Sequence, residues 1–205
     1  MLKLWELAAS PNSTKVRMAL RFKGIEFETI PVDPTDRTAI VRVIGQELTP
    51  AIEDKGIVLN DSEAILQYLD ANYPKSPRLF PVDRAGRRLC ENWRKELDEK
   101  VAKYWMPVFF HVIGQGDLDS SALKSYQDSL GWLDELIGDK DQFKEGEDLT
   151  ICDLRVAEWA TYAIPSDGFI ERCPIFGKFK EIFGVNAGSY KNLERFLKPW
   201  NQFLE

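Results

Sequence analysis

Between Leu48 and Leu69 the chain reads LTPAIEDKGIVLNDSEAILQYL, and a few small residues in this stretch are placed to do chemistry. Asn60, Asp61 and Ser62 stand immediately before a helical pattern of Ala64, Ile65, Tyr68 and Leu69. The first N–H groups of a helix lack intrahelical partners and lie at the positive end of its dipole, so this corner suits a carboxylate. Upstream, Thr49 and Pro50 open the short apolar run Ala51-Ile52, which resumes at Ile57, Val58 and Leu59. Glu53, Asp54, Lys55 and Gly56 between them carry turn chemistry, and the whole reads as a hairpin. Pro50 stands where a strand should start and cannot donate to a ladder, so it belongs either at a sheet edge or in a tight, cis-capable turn. In a cis turn the carbonyl and N–H of Thr49 would face out of the sheet, open to an extended ligand. Other chemistries find little material. His111 is the only histidine, which leaves a histidine-rich metal site or a His-based triad short of residues. Cys90, Cys152 and Cys173 are odd in number and form no Cys-x-x-Cys pair, so each reads as a small buried hydrophobe rather than part of a disulfide framework or zinc site.

These residues need elements to hold them. Leu2, Leu4 and Leu7 with Trp5 predict a strand, followed by the small polar loop Ala8–Ser13 and a helical pattern of Val16, Ala19, Leu20 and Lys23 that stops at Gly24. Ser10 with Pro11 makes a good N-cap and first helical residue, and Asn12 or Ser13 could serve one turn later. Ile25, Phe27, Thr29 and Pro31 alternate with Glu26, Glu28 and Ile30, as in a half-buried strand. Thr38 to Ile44 reads as a short helix ending at Gly45. With the hairpin and its helix, the order is β-α-β-α-β-β-α, a thioredoxin-like domain over residues 1–73 with a four-stranded mixed sheet and helices on both faces. Pro74, Pro77 and Pro81 mark residues 74–84 as a linker. The remainder, 85–205, shows no alternating run and reads as an all-helical bundle: Ala85–His111 with Pro107 kinking or shortening it, Ser120–Gly138, Thr150–Tyr162, Ile170–Phe183 and Ser189–Phe203. Thr150 and Asp153 form a capping box, with Leu149 and Leu154 placed as a staple. The fold class is therefore α/β followed by all-α.

The run T-P-A-I-E-D, a turn, then N-D-S-E-A-I resembles the glutathione-binding half-site of the cytosolic glutathione S-transferase family, written there as Val-Pro-x-Leu-x-Asp, a short hairpin, then Glu/Gln/Asp-Ser-x-Ala-Ile. S-P-N-S-T-K-V-R-M-A-L resembles the Ser/Cys type of that family, and the Thr150–Asp153 box resembles its helical-domain capping box. The resemblance implies that Thr49, next to Pro50, pairs its backbone with the cysteinyl portion of glutathione, while Asp61 takes the γ-glutamyl ammonium and Ser62 the carboxylate. Gln46 is implied at the glycyl carboxylate, although Gly45 stands five residues before Pro50 where the family has three. Ser10 is implied as the thiolate-activating residue, with Asn12 and then Ser13 as rivals. Only a few per cent of a thiol with pKa about 8.5 is ionised at neutral pH, and one charge-assisted hydrogen bond supplies the roughly 1.4 kcal/mol that makes the anion ten times easier to form. Tyr104, Trp105 and Phe109, with Phe110 and His111, are candidates for the second substrate, although aromatics at helical spacing more often form core.

The family implies a transferase in which the glutathione thiolate, as co-substrate and without a metal, attacks a small apolar electrophile in detoxification. Isomerase, peroxidase and dehalogenase relatives use the same site, and other relatives are non-catalytic binding or scaffold proteins. A homodimer is implied as well. Composition adds independent bounds: 205 residues, 44% hydrophobic and 29% charged, fit a globular protein of one or two domains. A net charge of −6 argues against nucleic acid or an anionic membrane as main partner, and the expected location is cytoplasmic, with no membrane span and no signal peptide.

Overall fold

The computed structural model describes residues 1–140, 150–183 and 188–204. They divide into two compact units, Met1–Phe80 and Pro81–Phe203. The first contains β1 (Leu2–Glu6), α1 (Pro11–Phe22), β2 (Phe27–Pro31), α2 (Thr38–Ile44), β3 (Ala51–Asp54), β4 (Ile57–Asn60) and α3 (Ser62–Asn72). The strands form one mixed sheet in the order β2-β1-β3-β4, with β1 and β2 parallel and the other two pairs antiparallel.

Alternation along β1 assigns its two faces. Leu2, Leu4 and Glu6 are buried on one side, where Glu6 meets Arg17 of α1 in an ion pair that is almost wholly buried. On the other side Trp5 packs with Ala51, Val32 and, from α2, Ile40 and Ile44. Helix α1 therefore covers one face and α2 the other, and α3 packs beside α1. Each fully buried aliphatic side chain, such as Leu4, Leu20, Ile65 or Leu69, contributes roughly 1.5–3 kcal/mol.

Helix α1 starts from Ser10 as N-cap, with Pro11 as its first residue, so the first of the two start points read from sequence is the one used. Helix α2 ends where expected, at Gly45 with φ 74°. Two details of the sheet differ from expectation. Thr29 and Pro31 of β2 are exposed because β2 is an edge strand, and the burial falls instead on Ile25 just before it. Glu53 and Asp54 belong to β3; the turn is Lys55-Gly56 alone, both at positive φ, as a two-residue type I′ hairpin requires. The strand position of Asp54 lets its carboxylate accept from the hydroxyls of Tyr68 and Tyr73, at 2.9 and 2.7 Å, fastening α3 to the hairpin. Asp70 accepts from the backbone N–H of Leu79 and Phe80 and pairs with the ammonium of Lys23, which also donates to the carbonyl of Pro77.

The second unit contains α4 (Arg84–Leu97), a π-helical turn (Asp98–Ala102), α5 (Lys103–Val112), α6 (Ser120–Ile137), α7 (Thr150–Ala160), α8 (Asp167–Arg172), α9 (Ile175–Phe183) and α10 (Lys191–Leu204). The helix expected over Ala85–His111 is interrupted by the π turn, and Pro107 lies inside α5. A π turn widens the helix by one residue per hydrogen bond, and the Lys100 carbonyl within it is taken by the Ser129 hydroxyl of α6. The helix expected over Ile170–Phe183 is instead two, separated at Cys173-Pro174, because the residue before a proline is driven out of helical conformation. Leu149, the proposed half of the staple, lies outside the described residues.

Candidate functional site

Strand register brings the candidate residues to one end of the sheet. Trp5 of β1 lies opposite Ala51 of β3, and Ala51 lies opposite Asn60 of β4. The loop after β1, the Thr49-Pro50 bond before β3 and the Asp61-Ser62 pair after β4 therefore leave the sheet on the same edge. The Thr49-Pro50 bond is cis and Pro50 is buried. The backbone of Thr49 makes no hydrogen bond within the chain among the described residues.

Two helix N-termini meet there. The Ser62 hydroxyl, at the first residue of α3, donates to Asn12 Oδ1 in the first turn of α1 at 3.1 Å, across 50 residues of sequence. Lys15 Nζ donates to the same oxygen at 3.3 Å and pairs with Glu63 at 3.1 Å. An ammonium only donates, so the Lys15 contact fixes which end of the Asn12 amide faces it. The carbonyl points at Lys15 and Ser62, and the exposed Asn12 turns its two amide hydrogens away, with no acceptor in the chain among the described residues.

Asp61 is the N-cap of α3, at φ 75°, and its Oδ1 accepts from the Ala64 N–H at 2.9 Å. Its other oxygen accepts nothing within the chain among the described residues and is exposed. The cap thus leaves half its carboxylate for a cation. The N–H of Ser62, at the first position of α3, has no intrahelical acceptor and suits an anion. Ser10 is half-buried, and its Oγ accepts from the Ser13 N–H at a long 3.5 Å. Accepting through a lone pair leaves the hydroxyl hydrogen available, so the cap and donor roles are compatible.

Ser13 is fully buried, and its hydroxyl has no hydrogen-bond partner among the described residues. Gln46 is half-buried beyond Gly45 and makes no hydrogen bond within the chain among the described residues. Trp105 lies in the aromatic core of the second unit, against Phe109, Trp159, Tyr162 and Phe179 at ring separations of 4.7–5.9 Å. Its place in that core gives it a packing role in place of the substrate contact considered for it. Phe109 is half-buried in the same stack, and Tyr104 is half-buried with Lys103 Nζ over its ring at 4.7 Å. His111 Nδ1 lies 3.1 Å from the Gly116 carbonyl. Lys15 is the site residue that sequence reasoning missed; its lysine stands in the quoted motif, but nothing local says that its ammonium spans two helices. Among the described residues no group of three or more His, Cys, Asp or Glu is arranged to hold a metal ion, and no helix is long and apolar enough to cross a membrane.

Residues 4–77 match the family model described as "Glutathione S-transferase, N-terminal domain". The chain is 28% identical over 145 residues to Glutathione S-transferase U4 of Arabidopsis thaliana, an alignment covering 69% of this chain but 62% of that protein. Against Glutathione S-transferase D7 of Drosophila melanogaster it is 27% identical over an alignment covering all of this chain and 93% of the other. Among solved structures, rice GST1 in complex with glutathione superposes with a TM-score of 0.68 at 20% identity, covering 99% of this chain and 86% of that one, a similarity of fold.

Proposed function

We propose that this chain, whose residues 4–77 match the N-terminal domain of the glutathione S-transferase family, belongs to that family, binds glutathione as co-substrate and stabilises its thiolate for attack on a small apolar electrophile. The observation that carries the reading is the Asn12–Ser62 contact, which brings two helix N-termini to one point beside the unpaired backbone of Thr49. Glutathione has two carboxylates, an ammonium and a thiol, and the residues at this edge supply a complement for each end of it. The uncommitted oxygen of Asp61 takes the ammonium. The N–H of Ser62 at the start of α3 takes the γ-glutamyl carboxylate, its hydroxyl being engaged with Asn12, and the Thr49 backbone pairs with the cysteinyl unit. Gln46 is assigned to the glycyl carboxylate.

The sulfur then lies near the start of α1, where the Ser10 hydroxyl and the Asn12 amide can each donate to the thiolate. No base has to remove the proton: hydrogen bonds and the helix dipole favour the anion, and the proton leaves to water. The thiolate forms a carbon–sulfur bond with the electrophile as its leaving group departs. A cytoplasmic homodimer belongs to the same proposal.

Retention on immobilised glutathione tests binding. The ultraviolet absorbance of bound thiolate then tests activation in wild type, Ser10→Ala and Asn12→Ala. At least one substitution should raise the pKa of the bound thiol. Retention with no thiolate at neutral pH in the wild type would leave a binding protein in place of a transferase, and no retention would overturn the reading altogether.

A further inference from the structure

We propose that Cys90 and Cys152 form an oxidative modification site, a dithiol at which a small peroxide closes an intrachain disulfide between α4 and α7. The two Sγ atoms lie 3.2 Å apart although 62 residues separate them in sequence. A disulfide bond is about 2.05 Å long, so closure asks for a combined shift of about 1 Å. Both side chains are buried, at 2% and 0% exposure, and all three cysteines of the protein are present as thiols. The backbone at each is held: Arg155 donates to the Cys90 carbonyl at 3.1 Å and the Trp93 indole to the Cys152 carbonyl at 3.4 Å. The pair is thus fixed at close range by its surroundings and does not depend on the glutathione reading.

The chemistry follows from the enclosure. A bulky disulfide oxidant has no access to buried sulfur, whereas hydrogen peroxide is close to water in size. One thiol, as its thiolate, attacks a peroxide oxygen and becomes a sulfenic acid, releasing hydroxide that takes up the thiol proton as water. The neighbouring thiol attacks the sulfenic sulfur, the S–S bond forms, and a second water leaves. Two thiols and one hydrogen peroxide give one disulfide and two waters. Cys152 lies in the first turn of α7 with the Arg155 guanidinium nearby, which favours its anion, but the shared hydrogen bond with Cys90 and burial push its thiol up. The first step is therefore slow and the second, at contact distance, fast.

The test exposes the native protein to a modest excess of hydrogen peroxide, quenches with catalase, unfolds it in an alkylating reagent and maps the thiols by mass spectrometry. The expected chain has lost two hydrogens, carries the alkyl label at Cys173 alone, and yields a peptide pair joined through Cys90 and Cys152 that a reductant separates. Cys152→Ser under the same exposure should stop at a Cys90 sulfenic acid that dimedone traps when the protein is unfolded in its presence. Because a buried serine could cost that variant its fold, the wild-type map decides alone. Label at all three cysteines after prolonged exposure, pairing through Cys173, or a sulfenic acid that persists without a cross-link would each overturn the proposal.

Discussion

At the scale of the residue, Asn12 and Lys15 govern the proposed chemistry. The Lys15 ammonium holds the Asn12 carbonyl, which aims the amide hydrogens outward, and its pairing with Glu63 ties the first turns of α1 and α3 together. Lys15→Met keeps the aliphatic stem and removes that direction, so the Asn12 amide is held only by the Ser62 hydroxyl, which can donate or accept and so permits either orientation. If Asn12 is a thiolate donor, the variant should raise the pKa of bound glutathione by about 0.5 to 1, read from thiolate absorbance against pH. Lys15→Arg, which retains a donor and a charge, should recover part of the difference. An unchanged titration in both would assign the sulfur to Ser10. The residue types Asn, Ser and Asp at helix starts were legible in sequence as caps; that one Asn oxygen takes two donors, one of them from across the sheet, was not.

At the scale of the element, polar contacts tie α3 and α6 to their neighbours. Asp54 receives the hydroxyls of Tyr68 and Tyr73, and burial together with these bonds raises the pKa of both phenols above 10.0. A group whose folded pKa is raised contributes stability that is complete below its unfolded value and is lost as pH rises through the folded one. Denaturant midpoints should therefore begin to fall above about pH 10, and Tyr68→Phe with Tyr73→Phe should flatten that alkaline decline. In the helical unit, Ser129 takes up the Lys100 carbonyl in the π turn. Ser129→Ala removes the bond to that carbonyl and should cost about 0.5–1.5 kcal/mol in urea unfolding. Pro107 announced a disturbance of this long helix, but its position did not. A proline removes a donor locally, whereas the π turn lies where the Ser129 hydroxyl of the neighbouring helix reaches the Lys100 carbonyl.

For the whole molecule, ligand linkage separates binding from mere resemblance. The chain carries a net charge of −6, so attraction for an anionic tripeptide must be local, at the two helix starts and Lys15. Glutathione at 100 times its dissociation constant should stabilise the protein by about 2.7 kcal/mol, read as a rise in the unfolding transition of the first unit. Ser62→Ala should reduce that rise, because it removes the contact to Asn12 that holds the two helix starts together. Ser129→Ala, in the other unit, should show the full ligand-induced rise. Equal rises in wild type and Ser62→Ala would place the ligand elsewhere.

Hydrophobic period, turn residues and caps act over a few residues, so the chain by itself determined its strands and helices: the start of α1 at Ser10-Pro11, the stop of α2 at Gly45 and the β-α-β-α-β-β-α order were all readable. The Thr49-Pro50 and Asp61-Ser62 pairs were readable as a candidate ligand corner for the same reason, their spacing being local. Tertiary structure alone decided which distant residues meet. It drew Asn12 to Ser62, seated Trp105 in a ring stack, buried Ser13, and set Cys90 against Cys152. Those contacts depend on strand register and helix packing, which combine small preferences from many positions, and no stretch of a few residues contains them.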